Sequence, residues 1–304
     1  MPMARPPIVA SRARRRPGRN AIWTLLPLAV MAPFTVLALF VVWIPVGLVT
    51  PLGFGWVLVG FLALGLLLFL RPFQVRVLTP VLRARPPTAE EADTITPLWT
   101  QIAEANGLEP DRYVVRILDS DELNAFACGG HLVVVTTFAV EHLSQSELQG
   151  VLAHELSHHL GLHTVSITVG HWLSVPVLML ARIGFFLENV ATAAARSFGE
   201  RSPLIDAAGS VAAVVVRGVS WIFTFALHAA DGFANVVGHE AEFEADQRAV
   251  SMGFGPELAG ALRRVVAEGG SRRPVGWRAR LAASHPPART RVARIETLLR
   301  HPSR

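Results

Sequence analysis

Four histidines and one glutamate fall within thirteen residues, V-L-A-H-E-L-S-H-H-L-G-L-H at 151–163. His154, Glu155 and His158 form H-E-x-x-H. In a helix a step of four residues turns only about 40° past a full turn, so both imidazoles project from one face and can share a cation, with Glu155 beside it. Imidazole and carboxylate ligands suit zinc, which in reactive sites keeps one position open for water. A merely polar helix face is the competing reading, but burying ionisable groups is costly unless they are paired or metal-bound. His159 points away from the paired face. His163, His171 and His228 lie in apolar stretches and read as hydrogen-bonded side chains rather than ligands.

The third ligand separates one chemistry from another. The longer pattern H-E-x-x-H-x-x-G-x-x-H has its glycine at Gly161, but Thr164 stands at its last position and His163 comes one residue early, about 100° of helix away. A carboxylate is the other option, and Glu188, Glu200, Glu240, Glu242 and Glu244 lie downstream. Glu188 and Glu200 fall near a turn expected on the far side of a membrane. In G-H-E-A-E-F-E-A-D-Q-R only Glu242 has an aspartate four residues on, Asp246, which puts a ligand and a hydrogen-bond acceptor for an imidazole on one helix face. Glu242 is therefore favoured over Glu240 and Glu244, against the simpler reading of a solvated acidic face.

The elements that must hold these residues are legible in outline. L-S-Q-S-E-L-Q-G before the motif places Ser144 and Glu147 at capping-box spacing, with Leu148, Val151, Leu152, Leu156 and Leu160 as apolar positions, and so predicts a helix. Residues 89–106 read as another helix, carrying a cost at Pro97, and 238–252 and 287–300 also read helical. Y-V-V-R-I-L at 113–118 and H-L-V-V-V-T-T-F-A-V at 131–140 read as strands joined by D-S-D-E-L-N-A-F-A-C-G-G. Cys128 is the only cysteine, which excludes an intrachain disulfide and a cysteine-based metal cluster, and reads as a small packing residue.

Composition points to a bilayer: 51% of residues are apolar and 17% charged. Residues 21–70 hold no Asp, Glu, Lys or Arg, enough for two crossings of about 20 residues each, with Pro51, Gly53 and Gly55 at the turn. The run is too long for a cleaved leader, whose apolar region is about 7–15 residues. Residues 162–187 and 207–230 are each long enough to span and form an expected second hairpin. Arg217 inside the latter must pair, face a polar cavity or mark an interfacial helix, and an amphipathic lid is the alternative.

Residues 1–20 hold six Arg and no acid, and residues 71–85 four Arg and no acid, whereas 188–206 hold two Arg against three acids. Positive-inside bias then places both termini and the region 71–160 in the cytoplasm. The net charge of +5 gathers beside the anchors, so anionic lipid headgroups explain it better than nucleic acid does. All 28 basic residues are arginine, a bias of GC-rich bacterial genomes, which points to the bacterial cytoplasmic membrane. The expected organisation is a basic N-terminus at 1–20, a hairpin at 21–70, a basic, proline-containing linker at 71–88, an α+β domain in two parts at 89–161 and 232–304, and the second hairpin at 162–231 between them.

Four segments together resemble the HtpX and CAAX-prenyl-protease family of membrane zinc metallopeptidases, closer to its HtpX-like branch. They are N-A-F-A-C-G-G at 124–130 followed by V-V-V-T-T, E-L-Q-G-V-L-A-H-E-L-S-H-H at 147–159, E-F-E-A-D at 242–246, and S-H-P-P-A-R-T-R-V at 284–292. Two departures are Val292 in place of the usual isoleucine and the lack of a glycine after the V-V-V-T-T strand. The resemblance implies a zincin-type fold in which His154, His158 and Glu242 hold one Zn²⁺, Glu155 is the general base and Asp246 orients an imidazole. It also implies hydrolysis of polypeptide substrates in quality control of membrane or misfolded proteins; a catalytically inactive zinc-binding scaffold or sensor is the alternative.

Further residues have two readings each. Leu132–Thr136 is either an edge strand that pairs with extended substrate, Val133 and Val135 positioning it, or an ordinary core strand. Asn124 positions substrate or shapes the turn. His285 hydrogen-bonds near the site or stabilises the oxyanion, or else caps a turn before Pro286; Arg291 pairs with an acid of the site or forms a surface salt bridge.

Overall fold

The computed structural model describes residues 25–161, 163–198, 203–267 and 286–301. The basic run at 1–20 and His285 lie outside them. In chain order the elements begin with α1 (Leu26–Val49), α2 (Phe54–Leu67) and a helical segment α3 (Arg71–Val81) that is π-helical over Gln74–Leu78. β1 (Ala84–Arg85), α4 (Ala89–Ala105), β2 (Val114–Leu118), β3 (Ala125–Cys128), β4 (Leu132–Thr136), α5 (Thr137–His142) and α6 (Gln145–Leu160) follow. The chain continues through α7 (His163–Phe198), α8 (Pro203–Ser251), α9 (Gly255–Ala267) and α10 (Ala288–Arg300). These elements divide into two compact units.

One unit comprises Leu25–Gly65 and Val169–Ala234. Its helices meet through Met31, Ala38, Val177, Phe223, Ala226 and Leu227. Thr35 donates to the carbonyl of Leu173 at 2.8 Å, and Trp172 stacks on Phe61 and donates to its carbonyl at 3.1 Å. Trp56, Phe185, Phe186, Val214 and Trp221 stand exposed, a distribution that water disfavours and lipid accepts. Leu26–Val49, His163–Val190 and Gly209–Ala229 are long and apolar enough to cross a membrane, and the fourteen-residue α2 reaches that length only together with Arg71–Val81. Arg217 pairs with Glu188 at 2.7 Å, the first of the outcomes expected for it.

Among the described residues, the other unit holds Leu66–Thr168 and the chain from Asn235 on. Its four-stranded sheet has the order β1-β2-β4-β3, with β2 and β4 parallel and the two outer pairs antiparallel. One sheet face, through Ile117, Val133, Val135 and Ala125, joins Trp99, Ile102, Leu148, Leu152, Leu156, Leu258 and Ile295 in the main core. The other carries Leu132, Val134 and Val114, covered by Leu82 and Ala84. Capping boxes at Thr88/Glu91 and Ser144/Glu147 start α4 and α6, each satisfying backbone donors that a helix leaves open. Pro97 lies inside α4 without ending it.

Three expectations need correction. The apolar run at 131–140 is a strand only to Thr136, whose hydroxyl accepts from the amide of Ala139 and so starts α5. The connection at 119–130 contains β3, and β1 and β3 rather than β4 are the edges of the sheet. With β4 between two strands and all five of its residues buried, Val133 and Val135 are core side chains and cannot add a substrate strand. An unbroken Leu-Val-Val-Val run suits a strand covered on both faces, where an edge strand would alternate. Residues 71–88, expected as a linker, contain α3 and β1, which pairs Ala84 with Leu118.

Candidate metal centre

The helix α6 is driven into the core by Leu148, Leu152 and Leu156, and it also carries His154, Glu155 and His158, all buried. The two imidazole Nε2 atoms lie 3.1 Å apart with their rings nearly perpendicular. From α8 comes Glu242, 2% exposed, with one carboxylate oxygen 3.1 Å from His158 Nε2 and the other 3.3 Å from His154 Nε2. Ligand atoms of His154, His158 and Glu242 all fall within 4.8 Å of one another. Glu240 is exposed and Glu244 pairs with Arg248 at 3.6 Å, so of the three glutamates in that run Glu242 alone joins the histidines.

Asp246, one helical turn on, stands 3.1 Å from Nδ1 of His154. Arg291 of α10 is buried against the same group: its Nε and Nη2 donate to the two oxygens of Asp246 at 2.9 and 2.7 Å, and Nη1 is 3.1 Å from Glu242. Arg291 therefore pairs with acids of the site. Its guanidinium also stands 3.2 Å from Nε2 of His154. Burial opposes protonation of His154, as does Arg291, but hydrogen bonds with Asp246 and Glu242 outweigh both and raise its pKa to about 9. Asp246 is held below the usual carboxylate range: burial alone would raise it, and His154 followed by Arg291 more than offset that. Glu155, Glu242 and Asp246 against one arginine make a pocket that favours a cation. Two imidazole nitrogens and a carboxylate, one ligand short of a tetrahedron, are the donor set of a reactive zinc site, so these residues fit the ion.

Two further histidines stand beside the cluster without joining it. His159 turns away, its Nε2 3.1 Å from the carbonyl of Leu132, and burial pushes its pKa down to about 3. His163 lies against His158, ring centroids 5.1 Å apart. Burial raises the Cys128 thiol to about 11, so it stays protonated and packs. The carbonyl of Asn124 accepts from the amide and hydroxyl of Thr136 at 3.1 and 2.9 Å, pinning the start of β3 to the end of β4.

One contact was not foreseen from the sequence. Arg248 Nη1 donates to the carbonyl of Ser157 at 3.1 Å and so ties the helix that supplies Glu242 to the end of the helix that supplies His158. A Cβ at Gly161 would come within 2.5 Å of that guanidinium, and the glycine there was the available signal.

The family model described as "Peptidase family M48" matches residues 89–299. A protease HtpX homolog of Acidiphilium cryptum is 29% identical over 219 residues, which cover 64% of this chain and 70% of that protein. Protease HtpX of Nitrosococcus oceani is 30% identical over 192 residues, 60% of this chain and 63% of that protein, and a protease HtpX homolog of Methanosarcina mazei is 31% identical over 156 residues, 50% and 48%. The chain thus spans between about half and seven tenths of these relatives. The crystal structure of S. mikatae Ste24p superposes with a TM-score of 0.50 at 18% identity, covering 91% of this chain and 65% of that one, a likeness of fold.

Proposed function

The chain belongs to peptidase family M48, and on that premise we propose that it is a membrane-anchored zinc endopeptidase. The observation that carries the reading is the meeting of His154, His158 and Glu242, from two distant helices, in one buried cluster. His154, His158 and Glu242 would hold the ion. When bound, it would supply a Lewis acid for the scissile carbonyl and lower the pKa of an attacking water toward about 7.

The rest falls to the chain's own side chains. Glu155, next to a ligand and buried, takes the proton of the attacking water and passes it to the leaving amine. Asp246 accepts from Nδ1 of His154, leaving Nε2 for the cation, and Arg291 holds Asp246 in place through two hydrogen bonds. β3 is an edge of the sheet, and Ala125 on it shares a core cluster with Leu152 and Leu156 of the H-E-x-x-H helix. An extended substrate backbone would pair with β3, gaining affinity with little demand on sequence. Exposed apolar helices and weak sequence demand together favour unfolded segments of membrane or misfolded proteins as substrates, and so a role in protein quality control.

The test is metal content and casein hydrolysis of the purified protein beside Glu242→Ala and Glu155→Gln. Glu242→Ala is expected to lose zinc, and undiminished zinc in it would sink the ligand assignment. Glu155→Gln is expected to keep zinc and lose hydrolysis by roughly 10²–10⁴-fold. Bound zinc with no hydrolysis by the wild type would leave a metal-binding scaffold.

A further inference from the structure

A group of arginines next to the first apolar hairpin has no part in the hydrolytic site. Arg71 and Arg76 of α3 and Arg83 just after it are exposed. Arg116 lies in β2 opposite Val134, on the sheet face away from the main core. Its Nη1 donates to the carbonyl of Val115 at 3.0 Å, while its buried Nε has no hydrogen-bond partner among the described residues. Burial, and after it the charge of Arg71, hold the Arg116 guanidinium below its ordinary value. His131, which precedes β4, is likewise pushed down by burial, then by Arg112 and by Arg71. The fold brings these segments together: the amide of Val114 donates to the carbonyl of His131 at 2.6 Å, and a Cβ at Gly129, two residues before His131, would run into the side-chain amide of Gln74 in α3. Among the described residues Arg71, Arg112 and Arg116 make no ion pair.

Like charges gathered without a counter-ion are unfavourable until an anion joins them, and a phosphate matches the guanidinium fork. The surroundings narrow the kind of phosphate. Leu70, Val77 and Val81 are exposed in the same segment, Val81 at 63%. Aliphatic side chains interleaved with arginines on a short helix are the pattern of a segment lying at the boundary between headgroups and acyl chains. A free phosphate ion would gain nothing from the valines.

We propose that Arg71 and Arg116, with Arg112 and His131 nearby, bind the phosphate of an anionic phospholipid while Val77 and Val81 enter the acyl boundary. The site rests on the membrane anchoring of the chain and is independent of its peptidase chemistry. The test uses the full chain in neutral detergent with equal amounts of phosphatidylglycerol and phosphatidylcholine, the retained lipid being counted by native mass spectrometry. Wild type is expected to retain phosphatidylglycerol preferentially. R71Q and R116Q should each lower that preference roughly fivefold and the double variant more, with zinc content unchanged, so any folded member of the set decides. V77S/V81S should weaken retention of both lipids without altering the preference. An unaltered preference in the folded arginine variants overturns the site, and displacement of the lipid by an equal concentration of inorganic phosphate overturns its assignment to a headgroup. Loss of zinc or of hydrolysis in the wild type would instead count against the peptidase reading alone.

Discussion

At the scale of single residues, the centre depends on which atoms stand behind the ligands. Asp246 faces Nδ1 of His154 while Arg291 grips both of its oxygens, so the aspartate is fixed from two sides. Replacing it with asparagine keeps the shape, but removes the charge that balances Arg291 and can present an amide donor to the imidazole. Asp246→Asn should therefore weaken zinc binding by roughly 10–100-fold, read by competition with a chromogenic chelator, whereas Glu155→Gln should leave that affinity almost unchanged. Equal affinity in Asp246→Asn and wild type would make Asp246 a bystander. These residues were legible because helical spacing alone relates 154 to 158 and 242 to 246. Arg291 could be suspected only as a partner for some acid, since nothing local to it says which one.

At the scale of elements, the approach of α6 to α9 is set by Gly150. A Cβ there would overlap the backbone of Leu258 and Glu257, which cannot swing aside as a side chain can. Gly150→Ala should therefore cost about 1–3 kcal/mol of stability, seen as a lowered thermal midpoint. Gly260→Ala, whose Cβ would sit 3.4 Å from the side chain of Glu147, should be tolerated, and a harmless Gly150→Ala would mean that the two helices can part. The α+β content and the H-E-x-x-H helix were readable because periodicity and capping boxes are local signals, while the zincin-type fold came from the family resemblance of four separate segments. The sheet order was not. Leu132–Thr136 carries the stronger strand pattern and so invited the edge position, but pairing order depends on contacts between distant segments, and the short Ala125–Cys128 took the edge. The tie from Arg248 to Ser157 was hidden for the same reason.

At the scale of the whole molecule, charge decides orientation. The arginine-rich, acid-free stretches at 1–20 and 71–85 favour the cytoplasmic side, and the turn between α1 and α2 carries no charge to oppose that. If α7 and α8 both cross, the two parts of the catalytic unit face the same compartment, as a site built from His154, His158 and Glu242 requires. Single cysteines in a Cys128→Ala background, labelled with a membrane-impermeant maleimide in whole cells and in inverted vesicles, test this at four exposed positions. Thr50→Cys and Ala207→Cys should label from outside, and Glu109→Cys and His301→Cys only in inverted vesicles. Labelling of Ala207→Cys from the same side as Glu109→Cys would replace the second hairpin with a lid on the catalytic unit. A crossing by only one of the two helices would place Glu109 and His301 on opposite sides, an arrangement that a metal centre shared between α6 and α8 forbids.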